Sequence, residues 1–358
     1  MSSHNYKDVV SELIARALSD GASDIHLSAG HYPIFRISGN MLPLMNLFVL
    51  SPEDTMGILS ELISPEFKER FLSNKEIDFS YEFFGKGRFR GNAFYQKGAV
   101  GIALRSIPTQ VKTIGELNLP PILEIFTRKK QGFFLVVGPV GQGKSTTLAS
   151  MVELINRERA EHIVTIEDPI EYLFRSEKSI IDQREVGIDT QSFKAGLQAA
   201  FRQDVDVIMI GEMRDPDTIS TAVTAAETGH LVLSTLHTNN ASQTIDRIID
   251  SFPGDQQSQI RVQLAGSLVG IFSQRLIPRI SGGLIPAYEL LINNNAVSSL
   301  IREGRTHEVD IVIETGMKDG MIDMNRSLAE LVRKGEITPD DALLYSFNPK
   351  GLERMLQS

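Results

Sequence analysis

The 358-residue chain contains no cysteine, no tryptophan and no apolar run approaching the roughly 20 residues that a membrane-spanning helix needs. The lack of cysteine excludes a disulfide framework and any zinc or iron–sulfur site held by thiolates. Polar and acidic residues begin the chain where a signal peptide needs an apolar core, so we expect a cytoplasmic protein. A net charge of −9 disfavours broad binding to a phosphate backbone, and no direct contact with nucleic acid is expected.

The length predicts two or three domains, and the first is a small α+β domain over residues 1–107. Apolar residues recur at three- and four-residue spacing over 6–18, which predicts an amphipathic helix. Short β-like runs follow, and those at 77–84, 88–95 and 99–107 predict an antiparallel meander. The next segment lacks periodicity and contains a proline, so we place a linker at 108–115.

Beyond the linker, short continuous apolar runs alternate with helical stretches. Such runs are typical of parallel strands covered on both faces, so residues 116–292 are predicted to form a doubly wound α/β domain. After about residue 293 only helical segments are predicted, and we assign 293–358 to a C-terminal helical extension. The predicted strands are 132–137, 162–166, 205–210 and 231–234, and the predicted C-terminal helices are 296–303, 324–334 and 339–345.

A glycine-rich segment between the first of these strands and a helix matches the phosphate-binding pattern G-x-x-x-x-G-K-[ST]. Its glycines let backbone N–H groups surround a polyphosphate, while Lys144 reaches the terminal phosphates and the Ser145 hydroxyl binds Mg²⁺. The predicted cofactors are therefore ATP and Mg²⁺. The residues predicted to bind the nucleotide are Gly138, Pro139, Val140, Gly141, Gln142, Gly143, Lys144, Ser145 and Thr146.

Acidic residues follow two other strands of the same predicted sheet. Glu212 follows 205–210, and Glu167 follows 162–166. Ligands bind at the carboxyl edge of open α/β sheets, and ATP hydrolysis needs carboxylates that orient water and hold the metal. The metal-binding candidates are therefore Ser145, Glu167 and Glu212. Helix capping or solvation of a loop is the alternative role for either carboxylate.

Two histidines, His230 and His237, flank the strand at 231–236. They stand at opposite ends of that strand, so they cannot jointly bind one metal ion without other ligands. Each is either an ordinary hydrogen-bonding residue or a sensor of the terminal phosphate.

Arginines lie on the predicted N-terminal meander, far in sequence from the glycine loop. Arg88 and Arg90 share one strand face, and Arg105 lies on the next strand. They are either solvated charges of a strand or arginine fingers that act on the nucleotide of a neighbouring subunit.

Taken together, these motifs resemble those of the type IV pilus retraction ATPases of the PilT type, within the secretion ATPase superfamily. The similarity extends over nearly the whole chain. Besides the phosphate loop, it depends on ASDIHLSAG at 22–30, IEDPIEY at 166–172, QREVG at 183–187, RQD at 202–204, GEMRD at 211–215, TGH at 228–230 and STLHTN at 234–239.

The resemblance implies a PAS-like N-terminal domain followed by a RecA-like ATPase domain, assembled as a homohexamer. It implies that Glu212 is the catalytic carboxylate and that Glu167 polarises or positions the metal. His230 and His237 would respond to phosphate, and Arg90 and Arg105, with Arg88, would reach the nucleotide. The implied partners are an inner-membrane pilus platform protein, at which the protein docks, and a second retraction ATPase.

One segment departs from the family pattern. The helix at 296–303 has Ser298 and Ser299 where retraction ATPases have an Arg-Asn pair. Hydrolysis is still expected, but two roles stay open: a retraction motor, or an accessory or assembly-type ring that modulates a separate motor. A DNA translocase is a third reading, which the net charge of −9 disfavours.

Overall fold

A computed structural model describes residues 5–108 and 110–357 of the chain. The chain forms two compact units, Met1–Gln110 with Glu171–Leu173, and Val111–Ile170 with Phe174–Ser358. The boundary between them falls inside the predicted linker. Residue 109 of that linker, and residues 1–4 and 358 at the ends of the predicted domains, lie outside the described residues.

The first unit is an α+β domain with a six-stranded antiparallel sheet in the order β3-β2-β1-β6-β5-β4. The predicted first helix and meander are confirmed. The elements are α1 (Tyr6–Ser19), β1 (Asp24–Ser28), β2 (Ile34–Ile37), β3 (Asn40–Pro43), α2 (Pro52–Leu62), α3 (Pro65–Asn74), β4 (Glu76–Phe83), β5 (Gly87–Gln96) and β6 (Ala99–Ile107).

Alternation along these strands separates an apolar face from a polar face. Ile25, Phe89 and Leu104 are buried and share one core with Leu13 of α1 and Ile58 of α2. Ser51 precedes α2 as its N-cap: its side chain accepts from Asp54 N, while the Asp54 carboxylate accepts from Ser51 N. This capping box satisfies N–H groups that the first helical turn leaves without partners.

The second unit contains a seven-stranded sheet in the order β13-β12-β7-β11-β10-β8-β9. Only the pairing of β12 with β13 is antiparallel. The elements up to the last strand are α4 (Leu123–Thr127), β7 (Gly132–Val137), α5 (Lys144–Glu158), β8 (His162–Glu167), β9 (Ile180–Glu185), α6 (Phe193–Ala200), β10 (Val207–Ile210), α7 (Pro216–Glu227), β11 (Leu231–Leu236), α8 (Ala241–Asp250), α9 (Gly254–Ser267), β12 (Leu268–Pro278) and β13 (Leu284–Ile292).

Every residue of β7, β10 and β11 is buried, because apolar cores lie on both faces of the sheet. The doubly wound α/β prediction is therefore confirmed, although β10 begins at Val207 and not at residue 205. The sequence did not predict β9, β12 or β13. Strand β9 is a polar edge strand, and β12 carries Ser273, Gln274 and Arg275 in its centre, so neither reads as an apolar run.

Helices complete the second unit: α10 (Asn295–Glu303), α11 (Val309–Thr315), α12 (Met324–Arg333), α13 (Pro339–Tyr345) and α14 (Pro349–Gln357). Val297 of α10 and Ile313 of α11 belong to the main core of the sheet, so part of the predicted C-terminal extension is integral to that core. Helices α12–α14 pack on a separate cluster that includes Ile277 and Ile285 of the hairpin β12–β13. No helix in the described residues is long and apolar enough to span a membrane.

A buried carboxyl group supports the start of α8. Glu289 of β13 is 6% exposed, and its Oε1 accepts from Ala241 N at 2.8 Å. Burial is the main reason that the pKa of Glu289 is raised to about 8, and the negative charges of Asp310 and Asp323 raise it further. The hydrogen bond from Ala241 N acts in the opposite direction and lowers the pKa. The folded chain therefore binds this proton more tightly than the unfolded chain, and the associated stability is lost as the pH rises towards 8.

Glu289→Gln keeps an oxygen that can accept from Ala241 and removes the ionisation. We expect it to stabilise the fold at pH 8 by about 1 kcal/mol or more, and to change little at pH 4.5. Thermal unfolding at the two pH values measures the difference, with Glu314→Gln, an exposed glutamate on α11, as the matched control. Equal effects of Glu289→Gln at both pH values would contradict this account.

Candidate active site

The parallel strands bring all but one of the predicted catalytic residues of the second unit to one edge of the sheet. The loop 138–143 follows β7, Glu167 ends β8, Glu212 follows β10, and His237 follows β11. Gly211 N donates to Ile166 O at 2.8 Å, so the chain leaving β10 starts beside the end of β8. The Thr235 hydroxyl donates to Gly211 O at 2.6 Å and secures the same turn from β11.

The phosphate loop depends on glycine at three positions. Gly138, Gly141 and Gly143 have φ angles of 149°, 78° and 79°, which residues other than glycine rarely adopt. Gly143 precedes α5 at the N-cap position, and no side chain caps the helix there. The first N–H groups of α5 and the partial positive charge of the helix therefore face the loop, as an anion site requires.

Lys144, His237 and Glu212 form one connected polar group at this edge. Lys144 is only 7% exposed, and its Nζ lies 3.0 Å from Pro139 O and 3.3 Å from His237 Nδ1. An ammonium can only donate, so Nδ1 accepts and the imidazole proton lies on Nε2. His237 Nε2 is 3.4 Å from Glu212 Oε2, and Arg214 forms an ion pair with the other carboxylate oxygen.

Glu167 is the more deeply buried of the two carboxylates, at 5% exposure. Its Oε1 accepts from the Thr165 hydroxyl at 2.7 Å and from Gln183 Nε2 at 3.2 Å. Gln183 belongs to the motif at 183–187, whose role in the site the sequence did not indicate. These bonds hold the Glu167 carboxylate in place beside Gly211.

The donor set fits the predicted metal. The Ser145 hydroxyl and the carboxylates of Glu167 and Glu212 are oxygen ligands of the kind Mg²⁺ prefers. Among the residues that the structure describes, no three His, Asp or Glu side chains group closely enough to hold an ion. Mg²⁺ bound here would therefore take further oxygens from phosphate and water, and its presence stays a prediction.

The structure does not bring His230 to this edge. His230 precedes β11, at the opposite end of the strand from His237. Its Nδ1 lies 3.0 Å from Ala225 O, and its ring packs edge-on against Phe201. Within one chain, these contacts support the ordinary hydrogen-bonding role and not contact with the phosphate loop.

The predicted arginines lie on the polar face of the first unit. Arg36, Asp24, Arg105 and Arg90 stand directly opposite one another across β2, β1, β6 and β5. Arg105 Nε donates to Asp24 at 2.8 Å, and its side chain is 72% exposed. Burial opposes ionisation of Asp24, but hydrogen bonds from Arg105 and Ser23 outweigh it and lower the Asp24 pKa. The row thus carries three guanidinium groups and one ionised carboxylate.

The sequence also missed Gln274 of β12. This side chain is 3% exposed and bonds both Thr147 of α5 and the backbone of Gln142 in the loop. Nothing in the sequence indicates that Gln274 contacts the loop, because the strand that carries it was not predicted and no motif includes it. Only the neighbouring position of β12 and β7 in the sheet reveals it.

The bridging role of His237 predicts different outcomes for two substitutions. Glutamine can accept from Lys144 and donate to Glu212, whereas leucine can do neither. We expect His237→Gln to retain at least about tenfold more ATP turnover than His237→Leu, since losing the hydrogen bond from the Lys144 ammonium costs about 1.5–3 kcal/mol. Steady-state hydrolysis measures both, and equal losses in the two variants would contradict the bridge.

Comparison with known proteins places the chain in a family. The family described as "Type II/IV secretion system protein" matches residues 108–333. The "Type IV pilus retractation ATPase PilT" of Pseudomonas aeruginosa is 42% identical over 333 residues, which cover 93% of this chain and 96% of that protein. The "Type IV pilus ATPase PilU" of the same organism is 40% identical over 347 residues, 97% of this chain and 91% of the relative.

The fold agrees with these matches. A crystal structure of the pilus retraction motor PilT with bound ADP superposes with a TM-score of 0.90 at 48% identity, covering 96% of this chain and 98% of that one. The predicted order of an N-terminal domain and a RecA-like domain is therefore confirmed. On this evidence the chain belongs to the Type II/IV secretion system protein family, as an ATPase of the PilT type.

Proposed function

We propose that this ATPase is a Mg²⁺-dependent motor that powers the retraction of type IV pili. The observation that carries the proposal is the connected group of Lys144, His237 and Glu212 beside the glycine loop. It joins the residue that would contact the terminal phosphate to the carboxylate that would act on water. The near full-length similarity to a pilus retraction ATPase supports the cellular role.

Each residue at the edge has a distinct task in this proposal. The N–H groups of the loop and the Lys144 ammonium bind the phosphates and offset their charge. Glu212 orients the attacking water and accepts its proton, while the His237 N–H restrains the carboxylate. Ser145, Glu167 and Glu212 would hold Mg²⁺, which when bound would neutralise charge on the transferring phosphoryl group. No covalent intermediate with the enzyme is required.

We further propose that the active form is a homohexamer in which a neighbouring subunit completes each site. The row of Arg36, Arg105 and Arg90 around Asp24 supports this step, because it has more positive than negative groups and two of its arginines are well exposed. An anion bound there would restore the charge balance. A nucleotide held by another copy would supply that anion, and the ring would work on an inner-membrane platform protein.

A second role is favoured by the serine pair of α10. The Ser298 hydroxyl oxygen lies 3.0 Å from both Ala265 O and Asn293 Oδ1, which share its one proton, and the Ser299 hydroxyl donates to Glu303. These positions therefore support the fold of one chain and offer no guanidinium to another. An accessory or assembly-type ring that modulates a separate retraction motor is the function consistent with this change.

Lys144→Ala should abolish ATP turnover by removing the phosphate contact, and Glu212→Gln should abolish it while preserving nucleotide binding. We expect each to lower kcat at least about 10²-fold with unchanged thermal unfolding. The control is Lys178→Ala, an exposed lysine, which should keep the wild-type rate. Hydrolysis at wild-type rates by both variants would contradict the proposed site.

The same variants, introduced into cells, separate the two roles. A motor predicts that cells carrying Glu212→Gln keep their pili but cannot retract them. An accessory ring that needs only bound nucleotide predicts retraction by that variant and failure of Lys144→Ala. Loss of pili in both variants would instead indicate a role in assembly.

A further inference from the structure

The strand β12 runs alongside the phosphate loop and contacts it at several points. Ser273 stands opposite Val137, the last residue of β7, so Gln274 and Leu276 lie beside the loop that follows. Gln274 Nε2 donates to the Gln142 carbonyl at 2.8 Å. In return, Leu276 N donates to the Gln142 side-chain oxygen at 2.6 Å. Gln142 is therefore held by both its backbone and its side chain.

A third bond fixes the orientation of the Gln274 amide. The Thr147 hydroxyl donates to Gln274 Oε1 at 2.6 Å, and both side chains are at least 97% buried. A flipped amide would place its oxygen against the Gln142 carbonyl, and two acceptors would then face each other. The first turn of α5 thus determines which end of the Gln274 amide meets the loop.

The packing around Gln274 also depends on two loop glycines. A Cβ added to Gly138 would lie 2.5 Å from Gln274 O, and one added to Gly143 would lie 3.0 Å from Gln274 Nε2. A side chain at position 138 would therefore collide with the Gln274 backbone, and one at position 143 would crowd the Gln274 amide. The glycine requirement comes partly from this contact, in addition to the positive φ angles of the two residues.

These contacts orient a peptide group of the loop. In a trans peptide unit, the C=O and the N–H point in opposite directions. Because Gln274 draws the Gln142 carbonyl towards β12, the Gly143 N–H points away from β12. The carbonyl lone pairs, which would repel phosphate, are thereby turned from the side on which the anion binds.

We infer that Gln274 is a positioning residue that pre-organises the loop for the phosphates of ATP and ADP, with Thr147 fixing its amide. This role concerns the ATPase site itself and does not depend on the pilus function proposed above. The Gln274 contact acts on the bound phosphates before and after hydrolysis alike. Its loss should therefore weaken binding of both nucleotides while leaving the chemical step largely intact.

The test compares Gln274→Met, which keeps length and loses both hydrogen bonds, with Thr147→Val, which removes only the hydroxyl that orients the amide. We expect the Kd for ADP, measured by titration calorimetry on the full chain, to rise about tenfold in Gln274→Met and less in Thr147→Val. The KM for ATP should rise in parallel, and kcat should stay within about twofold of the wild type.

The control is Gln263→Met on α9, whose amide bonds Glu227 and not the loop, and which should leave the Kd unchanged. A role in stability alone would lower the melting temperature but leave the Kd of the folded protein unchanged, and this would overturn the inference. A fall in kcat at constant KM would also overturn it. Failure of the wild-type chain to bind ADP would contradict the nucleotide site itself, and with it the role of Gln274. If Gln274→Met does not fold, Thr147→Val alone decides, because an unchanged Kd there contradicts the orienting role.

Discussion

The site depends on one constraint, the parallel register of β8, β10, β11, β7 and β12. Parallel pairing places the carboxyl ends of these strands side by side, so segments far apart in sequence meet at one edge. The central strands of the sheet, β7, β11 and β10, are wholly buried and form the support of that edge. The functional groups lie on the short turns that follow these strands. They keep their positions because neighbouring strands hold each turn in place.

A buried ammonium determines much of the local chemistry. Lys144 is almost fully enclosed, and an enclosed charge is unfavourable unless polar partners surround it. The Pro139 carbonyl and the His237 imidazole supply such partners. The imidazole in turn faces Glu212, so the position of the proposed catalytic carboxylate is coupled to the residue that would bind phosphate. Loss of the terminal phosphate from Lys144 would therefore alter the position of the Glu212 carboxylate through one side chain, that of His237.

The sequence predicted correctly those parts of the fold and of the site that depend on residues close together in the chain. The glycine loop, the buried central strands and the acidic residues after them follow from spacing and periodicity, and the structure places Lys144, Glu167, Glu212 and His237 at one edge of the sheet. Sequence alone did not reveal β12, because its centre is polar, and so it could not reveal Gln274. Sequence reasoning also assigned the same two candidate roles to His230 and His237. They lie at opposite ends of β11, and only His237 is at the edge that carries the glycine loop. The missing information was which strands are neighbours, and that depends on long-range pairing.

If ATP is hydrolysed at this edge in an oligomer whose subunits complete one another's sites, as proposed above, the rate must depend on assembly. The most direct measurement is steady-state ATP hydrolysis per subunit as the purified protein is diluted from micromolar to nanomolar concentrations. The account predicts that the specific rate falls on dilution, because the exposed arginines of one subunit leave the nucleotide of another. Absence of hydrolysis at every concentration, or a constant rate after light scattering shows that the oligomer has dissociated, would contradict it.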